Sequence, residues 1–293
     1  MIHYLKHNQI DFEKYDACID TAINSRIYAY SWYLDIVADN WDVLVLNDYE
    51  AVMPLPFLRF KRLFFLKKIA QPNFCQQLGL FCTKVLPEIV MNDFLMKFSR
   101  LKFRYYNFNS FQKINYNIIN CSVIKKINFE LDLIKQYQEI YHGYAKNLKR
   151  NLKKAHKIEL VISSETKVSD FLLLKENNKK HTIKSSQYKL MRKLMNELLQ
   201  RNLATIYGVY FENKLIASAF FIEEKQRVTH LFSATTITGK EVGAIPYLFD
   251  LIIKNNSAKK MIFDFEGSMI PNVARFFKSF GAQQTNYYSL EKK

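Results

Sequence analysis

Glycine and proline are scarce in this sequence, with seven and six residues among 293. So little turn and linker chemistry excludes a collagen-like or low-complexity chain, and 49% hydrophobic residues exclude extensive disorder. Cysteine is rarer still. Cys18, Cys75, Cys82 and Cys121 form no CxxC and no paired metal-ligand spacing, which points to a reducing, cytoplasmic setting rather than a disulfide scaffold. Residues Met1 to Asn8 hold no apolar h-region, so no export signal is expected. No uninterrupted apolar run approaches the roughly 20 residues that cross a bilayer, so no integral membrane segment is expected either. His142, His156, His181 and His230 show neither HxxxH nor HExxH spacing, and no metal site is expected. His230 falls within a predicted strand, where a core or supporting role is the simpler expectation.

Positive charge and aromatic rings are what the chain has in excess. Its formal net charge is +16, with 15% aromatic residues, and its pI is about 9.5. Such a balance concentrates polyanions near the surface, whether nucleic acid, membrane or phosphorylated small molecules, although a solvated basic surface produces the same number. The length suits one large domain or two ordinary ones.

Periodicity predicts mixed α/β structure throughout. In the first half, Trp32 to Val37 reads as a short amphipathic helix. Trp41 to Leu46 and Ala51 to Leu58 read as a hairpin turned by Asn47 to Glu50. Leu63 to Ala70 is a further extended stretch, Pro87 to Phe98 a helix, and Phe103 to Phe108 and Ile127 to Leu131 strands. The second half opens with a long helix from about Ile134 to Lys157, then helices Val168 to His181 and Tyr188 to Arg201. Three antiparallel strands follow, Thr205 to Tyr210, Leu215 to Glu223 and Arg227 to Ser233. The chain closes with helix Ala244 to Lys254, strand Met261 to Phe265, helix Pro271 to Phe280 and a strand near Tyr287 to Leu290.

Three segments carry candidate chemistry. Thr238 to Ala244 places Gly239 and Gly243 just before a helix. There the missing Cβ and the unpaired N–H groups suit a phosphate, with Lys240 adding a charge and Ala244 opening the helix. Read as a strand, Met261 to Glu266 puts Asp264 and Glu266 on one face about 6.6 Å apart. Paired carboxylates at that range can hold one group ready to take a proton from an amine, and a turn-capping role for Glu266 is the alternative. Lys146, Lys149, Arg150, Lys153 and Lys157 fall on one stripe of a helix whose other side is Leu148, Leu152 and Ala155. That stripe suits phosphates, or is a plain solvated face.

Phe263-Asp264-Phe265-Glu266-Gly267-Ser268 followed by Pro271 to Gly281 resembles the terminal strand and helix of Fem-like GNAT N-acyltransferases. Lys146 to Ala155 is similar to their basic helix entering the second domain, and Gln76-Gln77-Leu78-Gly79 to a piece of their first. The resemblance implies an α/β fold of two tandem GNAT-like domains, residues 1–133 degenerate and 134–293 holding the donor cleft. It implies transfer of an acyl or aminoacyl group, from acyl-CoA or aminoacyl-tRNA, to an amine of a small or nucleotide-linked acceptor such as a cell-envelope precursor. On this pattern Glu266 and Asp264 are the catalytic candidates, and Gly239, Lys240, Gly243 and Ala244 bind the donor. Arg150, Lys146, Lys149, Gln76 and Gln77 bind substrate, with Arg150 on a phosphate. Thr238 to Ala244 matches the usual GNAT pyrophosphate loop only loosely, which leaves the donor open. A non-catalytic, basic nucleic-acid-binding protein on the same scaffold is the alternative.

Overall fold

The computed structural model describes residues 1–38, 40–59, 67–111, 119–178, 183–267 and 269–292. The chain forms two compact units: Met1–Lys126 with Asn286–Lys293, and Ile127–Thr285.

In the first unit the elements are β1 (Ile2–Leu5), α1 (Phe12–Thr21), α2 (Ser31–Val37), β2 (Asn40–Leu46), β3 (Ala51–Arg59), β4 (Lys67–Ala70), β5 (Phe81–Cys82), α3 (Glu88–Ser99) and β6 (Phe103–Phe108). β2 and β3 form the expected hairpin. Asn47 and Tyr49 take left-handed backbone angles in its turn, which Asn bears at low cost. The sheet order is β1-β2-β3-β4-β6, with β5 against β3. Residues Tyr288 to Glu291 return to pair antiparallel with β6. Trp41, Tyr15, Tyr33, Phe98 and Tyr106 fill the core. Of the expected strand Leu63 to Ala70, β4 accounts for Lys67–Ala70, and residues 60–66 lie outside the described residues.

In the second unit the elements are β7 (Ser122–Asp132), α4 (Tyr137–His142), α5 (Lys146–Ala155), β8 (Val161–Ser163), α6 (Val168–Asn177), α7 (Ser185–Gln200), β9 (Ala204–Phe211), β10 (Lys214–Glu224), β11 (Arg227–Thr235), α8 (Ile237–Glu241), α9 (Ala244–Asn256), β12 (Ile262–Asp264), α10 (Pro271–Lys278) and β13 (Gln283–Glu291). β7 begins, and β13 ends, within the first unit. The sheet runs β7-β12-β11-β10-β9-β8. All neighbours are antiparallel except β11 and β12, which run parallel. Helices cover both faces, as adjacent residues of β10 show. Phe221 packs edge-on against Phe249 of α9, while Phe220 lies against Phe232, which in turn touches Phe171 of α6.

Three expected elements end differently. The single helix from Ile134 to Lys157 is broken into α4 and α5, because the Ala145 N–H leaves the helical ladder and donates to the Ser279 carbonyl at 2.8 Å. Glycines make room there: a Cβ on Gly281 would stand 3.1 Å from the Gly143 oxygen. Helix α6 ends at Asn177, and His181 lies outside the described residues. β12 stops at Asp264, after which Glu266 turns into the left-handed region at φ 56°.

Candidate active site

β11 and β12 pair only from Arg227↔Ile262 to Thr229↔Asp264. Beyond that point the Phe265 N–H donates to the Phe129 carbonyl of β7 at 3.0 Å, while β11 runs on to Thr235 along β10. The ladder between the two parallel strands ends there, and β11 continues without β12 beside it. The register of β10 against β11 slips at the same level. Phe220 faces Phe232 but Phe221 faces His230, so Leu231 is one residue extra on β11. A bulge of this kind re-aims backbone groups and bends its strand.

The paired stretch of the two strands is tied by charge. Arg227 Nη1 lies 2.5 Å from Asp264 Oδ2 and 2.8 Å from Glu130 Oε1. Asp264 Oδ1 accepts from Asn128 Nδ2 at 3.0 Å and from the Glu266 N–H at 2.9 Å. Asp264 is buried and both of its oxygens are engaged. Its bonds tie β12 to Asn128 of β7 and Arg227 of β11. Glu266 does not share a strand face with it, because β12 has already ended. Glu266 occupies the turn that follows β12, half-buried.

Two groups near this point stand out. The half-buried His230 ring packs among Phe221, Phe249 and Phe277, and its Nε2 has no hydrogen-bond partner of good geometry among the described residues. Burial holds this imidazole down to about 4, hence neutral. Lys175 reaches from α6 to donate to the Ser233 carbonyl at 3.0 Å, two residues past the bulge. Burial lowers its pKa. Sequence reasoning passed over Lys175 and Arg227. The available signal for Lys175 was its place four residues after Phe171, on the apolar side of an amphipathic helix.

The other expected site residues scatter. Thr238 to Lys240 are not loop but helix α8, whose N-cap Thr236 accepts the Gly239 N–H at 2.9 Å. Gly239 is buried under β10, and an added Cβ would meet the Ile216 carbonyl oxygen at 2.4 Å. Its missing side chain therefore serves packing. Lys240 is exposed. Gly243 caps α9 in the left-handed conformation at φ 72° with open space at its Cβ position, and Ala244 behind it is buried. Pro246, third in α9, supplies no N–H, so this helix start presents fewer donors to an anion than an ordinary one.

On α5, Lys146 and Arg150 are exposed, whereas Lys149 donates to the His142 carbonyl at 2.8 Å. Leu148, Leu152 and Ala155 are buried as the periodicity requires. Gln76 and Gln77 belong to the first unit. Gln77 is buried, accepts the Ser110 N–H at 2.9 Å and donates to Gln76 at 2.7 Å. The pair braces a loop against β6. Among the described residues no three His, Cys, Asp or Glu side chains group as metal ligands would, and no helix is long and apolar enough to cross a membrane.

No protein-family model matches the chain, and no curated protein sequence matches it. Solved structures do match in shape. FemX superposes with a TM-score of 0.70 at 9% identity, over 98% of this chain and 96% of that one. A GNAT-family acetyltransferase from Colwellia psychrerythraea gives 0.56 at 9% identity, over all of both chains. L-PGS from Bacillus licheniformis gives 0.54 at 10% identity, over 96% of this chain and 91% of that one. The chain has the Fem-like GNAT fold.

Proposed function

Starting from a Fem-like GNAT fold, we propose that the chain is a transferase that moves an acyl or aminoacyl group to an amine. The observation that carries this reading is the end of the β11–β12 ladder beside the Leu231 bulge. Backbone groups without a ladder partner there would receive the donor's carbonyl, and the Lys175 ammonium, 3.0 Å from the Ser233 carbonyl, would favour negative charge developing on it. The amine nitrogen attacks the carbonyl carbon and loses a proton to a nearby acceptor, for which Glu266 in the turn after β12 is the candidate. The bond to the leaving sulfur or oxygen then breaks, and the leaving group takes a proton. Asp264 acts by holding β12 and the Glu266 turn in place.

The donor's phosphates would lie at the Gly243–Ala244 helix start, near Lys240. Arg150 and Lys146 on α5 are the candidates for phosphates of a nucleotide-linked acceptor or of tRNA, and Gln76 and Gln77 support the first unit's loop. Because Pro246 thins the donor set at the α9 start, a CoA thioester and an aminoacyl ester of tRNA remain the two donor classes to test, for a protein working in the cytoplasm.

Thermal unfolding with acetyl-CoA, longer acyl-CoAs and CoA separates them. A ligand of the native state at 100 times its Kd adds about 2.7 kcal/mol, so a CoA donor raises the melting temperature by degrees. Replacing Gly243 by Phe removes that gain; unchanged acyl-CoA affinity in Gly243→Phe sinks the assignment of this turn. Silence towards every CoA species shifts the donor to aminoacyl-tRNA, tested by transfer of a labelled aminoacyl group to simple amines. Steeply salt-dependent RNA binding with no transfer would favour the nucleic-acid-binding reading, which the exposed cations of α5 motivate.

A further inference from the structure

A cleft of about 340 Å³ lies on the α4–α5–α9 side of the second unit, lined by Tyr137, Tyr141, His156, Tyr247, Asp250 and Lys254 among others. The proposed transfer uses none of these residues. Asp250 is an acid on the apolar side of α9, between Phe249 and Leu251, and it is only 4% exposed. Tyr137 donates its hydroxyl to both Asp250 oxygens, at 3.0 and 2.9 Å. The Tyr144 hydroxyl is buried beside the same carboxylate and favours its charge. Burying an acid costs stability unless something favours its charge.

The walls favour the same sign of ligand. Tyr137, Tyr141 and Tyr247 are among them, and His156 stands edge-on to Tyr247 at 5.0 Å. Two of these rings already hold ammonium groups of the chain itself over their faces: Lys254 Nζ is 5.6 Å from the Tyr137 centroid, and Lys149 Nζ is 5.5 Å from that of Tyr141. Aromatic rings in one cleft with a buried carboxylate make a cation receptor. Lys149 is tied by its bond to the His142 carbonyl. Lys254 is exposed, so its ammonium is the one a ligand can displace.

We infer that this cleft binds a small molecule carrying a primary ammonium group, which takes the place of Lys254 over Tyr137 and faces Asp250. The inference goes beyond the transferase reading and stands or falls without it. Its test is titration of the full chain with butylammonium, against butanol and pentanoate as neutral and anionic counterparts, followed by NMR or calorimetry. Butylammonium should bind and the other two should not. Lys254→Gln should bind it at least threefold more tightly, because the internal competitor is gone. Asp250→Asn should weaken it at least tenfold, and Tyr247→Leu, which leaves the buried acid alone, at least threefold. Failure of butylammonium to bind both the wild type and Lys254→Gln overturns the proposal. So does equal binding of butanol, or unchanged affinity in a folded Asp250→Asn or Tyr247→Leu.

Discussion

Without the Arg227 guanidinium, the Asp264 carboxylate would be left buried with a single side-chain donor, Asn128. Breaking such a pair from one side costs about 3 kcal/mol or more, most of it the penalty on the charge left behind. Arg227→Met should therefore lower unfolding free energy in urea by about that amount. Adding Asp264→Asn should restore part of it, because the stranded charge is gone; additive losses would show that the two residues do not act as a pair. His230 is the second residue whose state matters. Its folded pKa of about 4 lies below the ordinary 6.5, so between those values the unfolded chain binds more protons than the folded one. Stability from this group is complete above pH 6.5 and is lost as pH falls towards 4, on the order of 3 kcal/mol in all. Asp250, whose pKa burial raises, works in the opposite sense, losing stability as pH rises through its titration. A His230→Asn chain should show a flatter stability profile between pH 6.5 and 4 than the wild type, measured by denaturant titration at each pH. A profile of unchanged slope would mean that His230 is charged in the fold.

Two glycines four residues apart illustrate what an element can hide. Gly239→Ala pushes a Cβ against the Ile216 carbonyl, which belongs to β10 backbone and cannot swing away. A loss of about 2–3 kcal/mol is expected. Gly243→Ala meets empty space and costs only the left-handed backbone, about 1 kcal/mol. Thermal melts of the two variants should rank in that order, and the reverse order would refute the packing role of Gly239. From the sequence the two looked alike, because spacing reveals a glycine but not what stands above it. Elements governed by local periodicity were legible: the α5 face of Leu148, Leu152 and Ala155, and the three strands between Ala204 and Thr235. What escaped depends on partners distant in the chain. Arg227 meets Glu130 across 97 positions, the break before α5 is set by the Ser279 carbonyl, and the end of β12 is set by the turn at Glu266. Asp264 and Glu266 were legible as a pair of acids, but not their placement, one ion-paired within the strand and the other beyond it.

At the scale of the whole chain, both ends of the sequence contribute to the first unit, which holds Met1–Lys126 and Asn286–Lys293. Residues Tyr288, Ser289, Leu290 and Glu291 pair with Phe108, Asn107, Tyr106 and Tyr105 on β6. Leu290 and Ser289 are buried there, and Lys292 Nζ closes the arrangement by donating to the Ser99 carbonyl at 3.1 Å. This segment supplies the ladder that an edge strand otherwise leaves open, and an uncovered edge is a template for association. The first unit therefore cannot be completed from its N-terminal residues alone. Deleting Asn286 to Lys293 removes a buried leucine, worth about 2–3 kcal/mol, together with the main-chain bonds of one strand. The shortened chain should melt in two steps, the first unit earlier, and proteolysis at low temperature should release fragments from residues 1–126 while 127–285 persists. Supplying residues 283–292 as a peptide should raise the first transition again. A single transition at the wild-type temperature would show that the returning strand is dispensable to the unit it completes.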